Sequence, residues 1–343
     1  MTVGFLTGKF APLHTGHIYF ISKAATMVDK LYVVLSYDGK RFKDDPRLSL
    51  KNRLLWLKTT FKDLPHIQVI YVDETECRPY PDGWKDWAGK VKLALAYAAG
   101  TKTEKISKIF SSEPEYTEGY NKYWPDAEHV VIDAERKEVN ISATEIRANP
   151  FKFWSYMPSI VRKHYVKKIC IIGTESCGKT TLTKYLSKIY QTSWVEEYGR
   201  KFCEQDMCMD ESLLQFDDYA LIAARRYEDE LQATKTANKV LFADTNAFVT
   251  NFYCKLYEGN THPLVEEYEL LEQYDLTLLL DSDVEWVADG LRVNKDRRKT
   301  DNLFRSMLTL RNTDNFGNLV RISGTYSERL EKAIKIIDEE FFK

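Results

Sequence analysis

The chain has 343 residues, 44% of them hydrophobic and 29% charged, and a formal net charge of −2. That length suggests two domains, each long enough to bury its own core, and the composition excludes a disordered chain. The near-neutral balance argues against a surface that is one nucleic-acid footprint, though a local basic groove stays open.

The first ten residues have no basic n-region, and their short apolar run ends at Lys9, so no signal peptide is expected. No run approaches the ~18 apolar residues of a membrane span. The six cysteines, Cys77, Cys170, Cys177, Cys203, Cys208 and Cys254, form no C-x-x-C pair and no zinc-like cluster with histidine. Free thiols in a reducing cytoplasm are the simplest expectation.

Short apolar runs alternate with longer helical patterns. Val3–Leu6, Leu31–Tyr37, Ile67–Val72, Lys108–Ser111 and His129–Ile132 read as strands. Thr15–Met27, Ser49–Phe61 and Asp82–Ala98 read as helices, with Ser49 capping the second and Pro81 setting up the third. The alternation breaks near Asn149-Pro150, and the aromatic and basic segment to Tyr165 reads as a short helical connector. It then restarts. Lys168–Ile172, Val240–Asp244, Leu276–Asp281 and Leu319–Ser323 read as strands, and Lys179–Tyr190 and Tyr326–Phe342 as helices. Such alternation predicts α/β architecture with parallel, doubly wound sheets. The divisions expected are a domain over 1–149, a connector over 150–165 and a second domain over 166–343. No solenoid-like repeat or low-complexity tract is present.

Gly173-Thr174-Glu175-Ser176-Cys177-Gly178-Lys179-Thr180 fits G-x-x-x-x-G-K-[ST], between an apolar strand and a helical pattern. Backbone N–H groups of such a loop cradle phosphate oxygens, Lys179 brings charge to the β- and γ-phosphates, and Thr180 offers a hydroxyl to Mg²⁺. Thr181 follows it into the helix. Asp244, directly after an apolar strand, is placed to hold Mg²⁺ through water. Glu196 and Glu197, in Glu196-Glu197-Tyr198-Gly199-Arg200, are candidate bases for an acceptor hydroxyl; the competing reading is an exposed pair at a helix start. Asp289-Gly290-Leu291-Arg292 with Asp296-Arg297-Arg298 reads as a lid whose arginines reach the transferred phosphoryl group, or as a solvated basic turn. Cys177 reads as a residue tolerated in the loop for its size.

In the first half, two of the six histidines, His14 and His17, lie three apart around Gly16 in Gly8–His17. On the opening turn of a helix this spacing presents both rings to an anion at the helix N-terminus. Metal binding is the rival, and no nearby cysteine or carboxylate completes a ligand set. Farther on, Ile141-Ser142-Ala143-Thr144-Glu145-Ile146-Arg147 offers Ser142 or Thr144 as a helix cap and Arg147 as a bidentate phosphate donor.

The H-x-G-H element with the downstream I-S-x-T-x-x-R resembles the nucleotidyltransferase superfamily, with Ala143 standing where that pattern has a second serine. Joined to the P-loop, and with Ser111-Ser112-Glu113-Pro114 and Tyr80-Pro81-Asp82-Gly83-Trp84, the chain resembles the bifunctional nicotinamide mononucleotide adenylyltransferase/ribosylnicotinamide kinase family, the NadR type, over nearly its whole length. The resemblance implies a Rossmann-like nucleotidyltransferase fold followed by a P-loop kinase fold, with ATP as co-substrate of both and Mg²⁺ assisting. It implies an adenylyltransfer site of His14, His17, Lys9 and Arg147, with Gly8, Phe10, Gly16, Ser142 and Thr144 around ATP. Trp84 or Trp87 would stack on the cationic nicotinamide, or both are core tryptophans. Tyr198 and Trp286 are candidate contacts to the kinase acceptor. Longer members begin with a helix-turn-helix repressor module. This chain begins in its first strand, so the expectation is two enzymatic activities without operator binding. Its partners would be ATP, ribosylnicotinamide, nicotinamide mononucleotide and NAD, with no nucleic acid and no membrane, and a homo-oligomer left open. The same build with another small acceptor, or a nucleotide-sensing module, are the alternatives.

Overall fold

The computed structural model of the protein describes residues 1–79, 81–100, 104–135, 137–284, 297–311 and 313–343. They fall into two compact units, Met1–Tyr165 and Val166–Lys343.

The first unit runs β1 (Val3–Gly8), α1 (Thr15–Ala25), β2 (Lys30–Tyr37), α2 (Leu50–Thr60), β3 (Ile67–Asp73), α3 (Trp84–Ala99), β4 (Lys108–Ser111), α4 (Thr117–Tyr123), β5 (Glu128–Val131), α5 (Ala143–Ala148) and α6 (Ser159–Arg162). Its five strands form a parallel sheet in the order β3-β2-β1-β4-β5. The strand order reverses direction at β1, so the loop after β1 opens at the topological switch point, where open α/β sheets bind ligands. Val3–Leu6 and Leu31–Ser36 are buried continuously rather than alternately, as strands covered on both faces require. Ser49 does cap α2, accepting from the Asn52 amide at 3.3 Å. The third helix starts at Trp84, two residues later than the sequence pattern suggests.

Residues 150–165, set apart above as a connector, pack within the first unit. Trp154, Met157, Val161 and Tyr165 are buried, and α6 lies against α2. Trp154 and Tyr165, two of the aromatic side chains that made this stretch look distinct, help to anchor it.

The second unit runs β6 (Lys167–Ile172), α7 (Lys179–Ile189), β7 (Trp194–Val195), α8 (Tyr198–Asp206), α9 (Asp218–Thr236), β8 (Val240–Asp244), α10 (Ala247–Glu258), α11 (Pro263–Leu271), β9 (Leu276–Leu280), α12 (Arg297–Thr309), β10 (Asn318–Ile322) and α13 (Tyr326–Phe341). The sheet, again parallel, has the order β10-β9-β6-β8-β7. β6 is central, with β8 on one side and β9 on the other, which puts the P-loop at this sheet's switch point.

Candidate active sites

In the first unit β1 ends at Gly8 and the chain turns into α1, whose N-cap is His14. Its Nδ1 accepts from the His17 amide at 3.4 Å. The two imidazoles stack with centroids 3.7 Å apart, and Phe10 meets His17 edge-on at 5.0 Å. Gly16 permits this: a Cβ there would stand 3.1 Å from the His14 ring. A cavity of about 940 Å³ opens beside them. Gly8, Lys9, Phe10, His14, Gly16, His17, Trp84, Trp87, Ser142, Thr144 and Arg147 all line it, so the segments singled out far apart in sequence meet in one place.

Arg147 donates to the Ala11 carbonyl and, at 2.9 Å, to the Thr144 hydroxyl, and its guanidinium sits 5.3 Å from the Phe42 ring centre. Ser142 is the cap of α5, not Thr144, and forms a capping box with Glu145. Its hydroxyl is bonded to the Glu145 carboxylate at 2.6 Å, so its first role is to fix the start of α5. Trp84 and Trp87 do two things at once. They pack on the core beside Tyr120 and Trp124, and they present ring surface to the cavity. Gly119 makes room, since a Cβ there would fall 2.4 Å from the Trp84 ring.

Lys9, Arg41, Arg78 and Arg147 line this cavity together with Asp38, Glu74, Glu113 and Asp133. Burial, then Arg41, lowers the pKa of Lys9 and of Arg147, and burial lowers that of Arg53. Lys9 has Glu74 only at 4.0 Å. An anion entering here relieves a penalty already built in. Arg53 was missed by sequence reading. It is 1% exposed and donates to the Lys9 carbonyl at 2.9 Å, holding the loop after β1. It sits within α2, and arginine in a helix ordinarily signals solvent. Ser111 and Glu113 reach the same cavity from the end of β4.

In the second unit Gly173 and Gly178 take φ of +149° and +86°, backbone that L side chains rarely adopt. A Cβ on Gly173 would also lie 2.8 Å from Cys177 Sγ. Cys177 is buried with the core under the loop, its thiol pushed up chiefly by burial, in line with a residue chosen for size. Lys179 is buried, its Nζ donating to the Thr174 carbonyl at 3.0 Å. Thr180 donates to Asp244 Oδ2 at 2.5 Å. Asp244 is fully buried and its other oxygen, Oδ1, has no hydrogen-bond partner. Burial and then the Glu197 charge push its carboxyl up to about 7, against the opposing effects of Lys179 and the Thr180 bond. An orphaned buried carboxylate oxygen beside a threonine hydroxyl at the foot of a P-loop fits a divalent cation. The described residues hold no group of three His, Cys, Asp or Glu side chains placed to bind a metal ion, and a magnesium that shares its shell with phosphates and water needs none.

Glu197 is the N-cap of α8 and is partly buried, whereas Glu196 is exposed. Tyr198 opens α8, and Glu175 accepts from Tyr257 at 3.1 Å. Thr174 donates to Asp301 of α12 at 2.7 Å, and Ser176 is a buried member of the loop with φ +54°. Thr181 is exposed on α7. Of the lid arginines, Arg297 lies against the loop, its Nη2 3.5 Å from the Ser176 carbonyl, and Arg298 is exposed. Trp286, Asp289–Arg292 and Asp296 lie outside the described residues.

A nucleotidyltransferase-type cavity and a P-loop phosphate site, each at the switch point of its own sheet, define a two-site transferase. A Cytidylyltransferase-like model matches residues 5–149 and an AAA domain model matches residues 168–329. The chain is 37% identical to the trifunctional NAD biosynthesis/regulator protein NadR of Salmonella typhimurium, over 98% of its own length and 83% of that protein. It is 36% identical to the Escherichia coli protein of the same name, with the same two shares. The crystal structure of a NadR protein in complex with NR is similar at a TM-score of 0.84 and 27% identity, covering 100% of this chain and 96% of that one. Another, in complex with NAD and AMP-PNP, is similar at 0.80 and 28%, covering 99% and 96%. The chain belongs to the NadR family and is a bifunctional transferase of NAD biosynthesis.

Proposed function

We propose that the second unit phosphorylates ribosylnicotinamide to nicotinamide mononucleotide and that the first adenylylates this product to NAD, each with ATP. What carries the reading is the pairing of the histidine-lined cavity and the P-loop in one chain that matches NadR proteins almost end to end.

In the first unit an oxygen of the mononucleotide's phosphate attacks the α-phosphorus of ATP, the bond to the β-phosphate oxygen breaks, and pyrophosphate leaves. The nucleophile is already an anion, so no general base is required, and catalysis is positioning with charge stabilisation. His14 and His17 hold the ATP phosphates from the start of α1. Lys9 and Arg147 offset the charge that grows on the leaving oxygen. Trp84 and Trp87 offer a face to the cationic nicotinamide.

In the second unit the ribose 5′-hydroxyl attacks the γ-phosphorus, its proton passes to Glu197, and ADP departs. Glu197 is preferred to Glu196 because it is the partly buried one and its charge reaches Asp244. Lys179 and the loop amides carry phosphate charge, with Arg297 beside them. Thr180 and Asp244 would hold Mg²⁺, which when bound neutralises charge on the β- and γ-phosphates.

Two single variants separate the sites. Lys179→Ala removes the P-loop charge, and its kinase rate should fall at least about 10²-fold while adenylyl transfer stays near the parent value. His17→Ala should do the reverse. Loss of both activities in either variant, with the fold preserved, would contradict two independent sites.

A further inference from the structure

Arg329 lies on α13, 152 residues beyond Cys177 of the P-loop, and is 2% exposed. Its guanidinium donates to acceptors on three separate segments. Nη1 takes the Cys177 carbonyl inside the P-loop. Nη2 takes the Asp281 carbonyl at 2.8 Å and the Asp283 carboxylate, both just past β9. Nε takes the Gly324 carbonyl, 2.7 Å away at the turn into α13. A lone ammonium cannot span these directions, whereas the planar fork of arginine can.

We propose that Arg329 is a positioning residue for the P-loop, setting its affinity for ATP without touching the nucleotide. A trans peptide points its C=O and its N–H in opposite directions. Holding the Cys177 carbonyl toward Arg329 therefore turns the Gly178 N–H away from it. Successive N–H groups turned to one side make an anion-binding nest, and the left-handed φ of Gly178 is the backbone that such a nest uses. The other end of the loop is held through Thr174, by Asp301 at 2.7 Å and by Lys179 at 3.0 Å. Tyr326, the first residue of α13, packs over Gly178, so close that a Cβ there would lie 2.8 Å from its ring. The C-terminal helix thus meets the loop twice, and the loop's conformation is set on folding, before nucleotide arrives.

This inference rests on the kinase reading of the second unit. The test is steady-state kinase kinetics of the full chain carrying Arg329→Met or Arg329→Lys, with ATP and ribosylnicotinamide varied separately and adenylyl transfer measured in the same samples. The α- and β-phosphates are bound alike before and during transfer, and losing such uniform binding raises KM more than it lowers kcat. For Arg329→Met the ATP KM should rise about tenfold or more, with kcat within about threefold and the nucleoside KM unchanged. Arg329→Lys should fall between the two. A purely structural role would instead lower kcat with the folded fraction and leave both KM values alone. That pattern, or a variant equal to the parent, overturns the proposal. If the Met variant does not fold, the Lys variant decides by the same split, at a temperature where its circular dichroism matches the parent. A parent chain with no ribosylnicotinamide kinase activity would remove the kinase reading itself. Calorimetry of the ATP site that Lys179→Ala abolishes would then still judge Arg329, an unchanged Kd at that site overturning its role.

Discussion

Glu196 and Glu197 are adjacent in sequence and unlike in surroundings. Glu196 is exposed, while Glu197 is partly buried and, after burial itself, is the largest influence raising the Asp244 carboxyl. Glu197→Gln keeps the shape and removes the proton acceptor. Its kinase kcat should fall about 10²-fold, whereas Glu196→Gln stays within about threefold. Turnover measured at saturating ATP checks this, and equal losses in the two variants would remove Glu197 as the base. The sequence made both glutamates visible but could not rank them, because the difference lies in which one α8 turns toward Asp244. Arg53 and Arg329 were invisible for a related reason. Each is a long cation at an ordinary helical position, and only the fold shows it buried against a loop carbonyl. The motif glycines, histidines and Lys179 were legible because their chemistry is written in short spacings that a chain of this kind keeps local.

The alternating elements were read well where apolar runs are continuous and missed where buried faces carry charge. α9 escaped notice although it spans 19 residues, because Arg226 and Glu230, each 1% exposed, sit on its buried face. Arg226 bonds Glu230, Glu272, Tyr274 and the Thr245 carbonyl, so the network that hides the helix from hydropathy also fixes the turn after Asp244. Residues 150–165, expected as a short helical connector, carry α6 and pack within the first unit. His164 shows the consequence. It stacks edge-on against Trp56 at 5.4 Å, and burial, then Lys163, lowers its pKa to about 4. A histidine whose folded pKa lies below its unfolded value binds fewer protons when folded, so stability rises with pH across that interval and is lost as pH falls from about 6.5 toward 4. The first unit should therefore melt at progressively lower temperature between pH 6.5 and 4.5. His164→Phe should flatten that slope in a tryptophan-fluorescence melt, and an unchanged slope would assign the acid sensitivity elsewhere.

At the scale of the whole molecule, two five-stranded parallel sheets of different strand order carry unlike loops at their switch points, and the chemistry of one loop supplies the substrate of the other. The kinase makes a phosphate monoester, and the transferase uses such a phosphate as its nucleophile. The order of motifs along the chain was the most specific signal in the sequence, since neither the paired histidines nor the P-loop alone names an acceptor. The acceptor pockets were less legible because their walls come from distant segments, as in the cavity shared by Lys9, Trp84, Glu113 and Arg147.

The most direct test of the whole account is one incubation of the purified protein with Mg-ATP and ribosylnicotinamide, its products followed by chromatography. Nicotinamide mononucleotide and ADP should appear first, then NAD and pyrophosphate. Mononucleotide that accumulates without NAD would contradict the role of the first unit. No product at all, from a chain that still binds ATP, would contradict the acceptor itself.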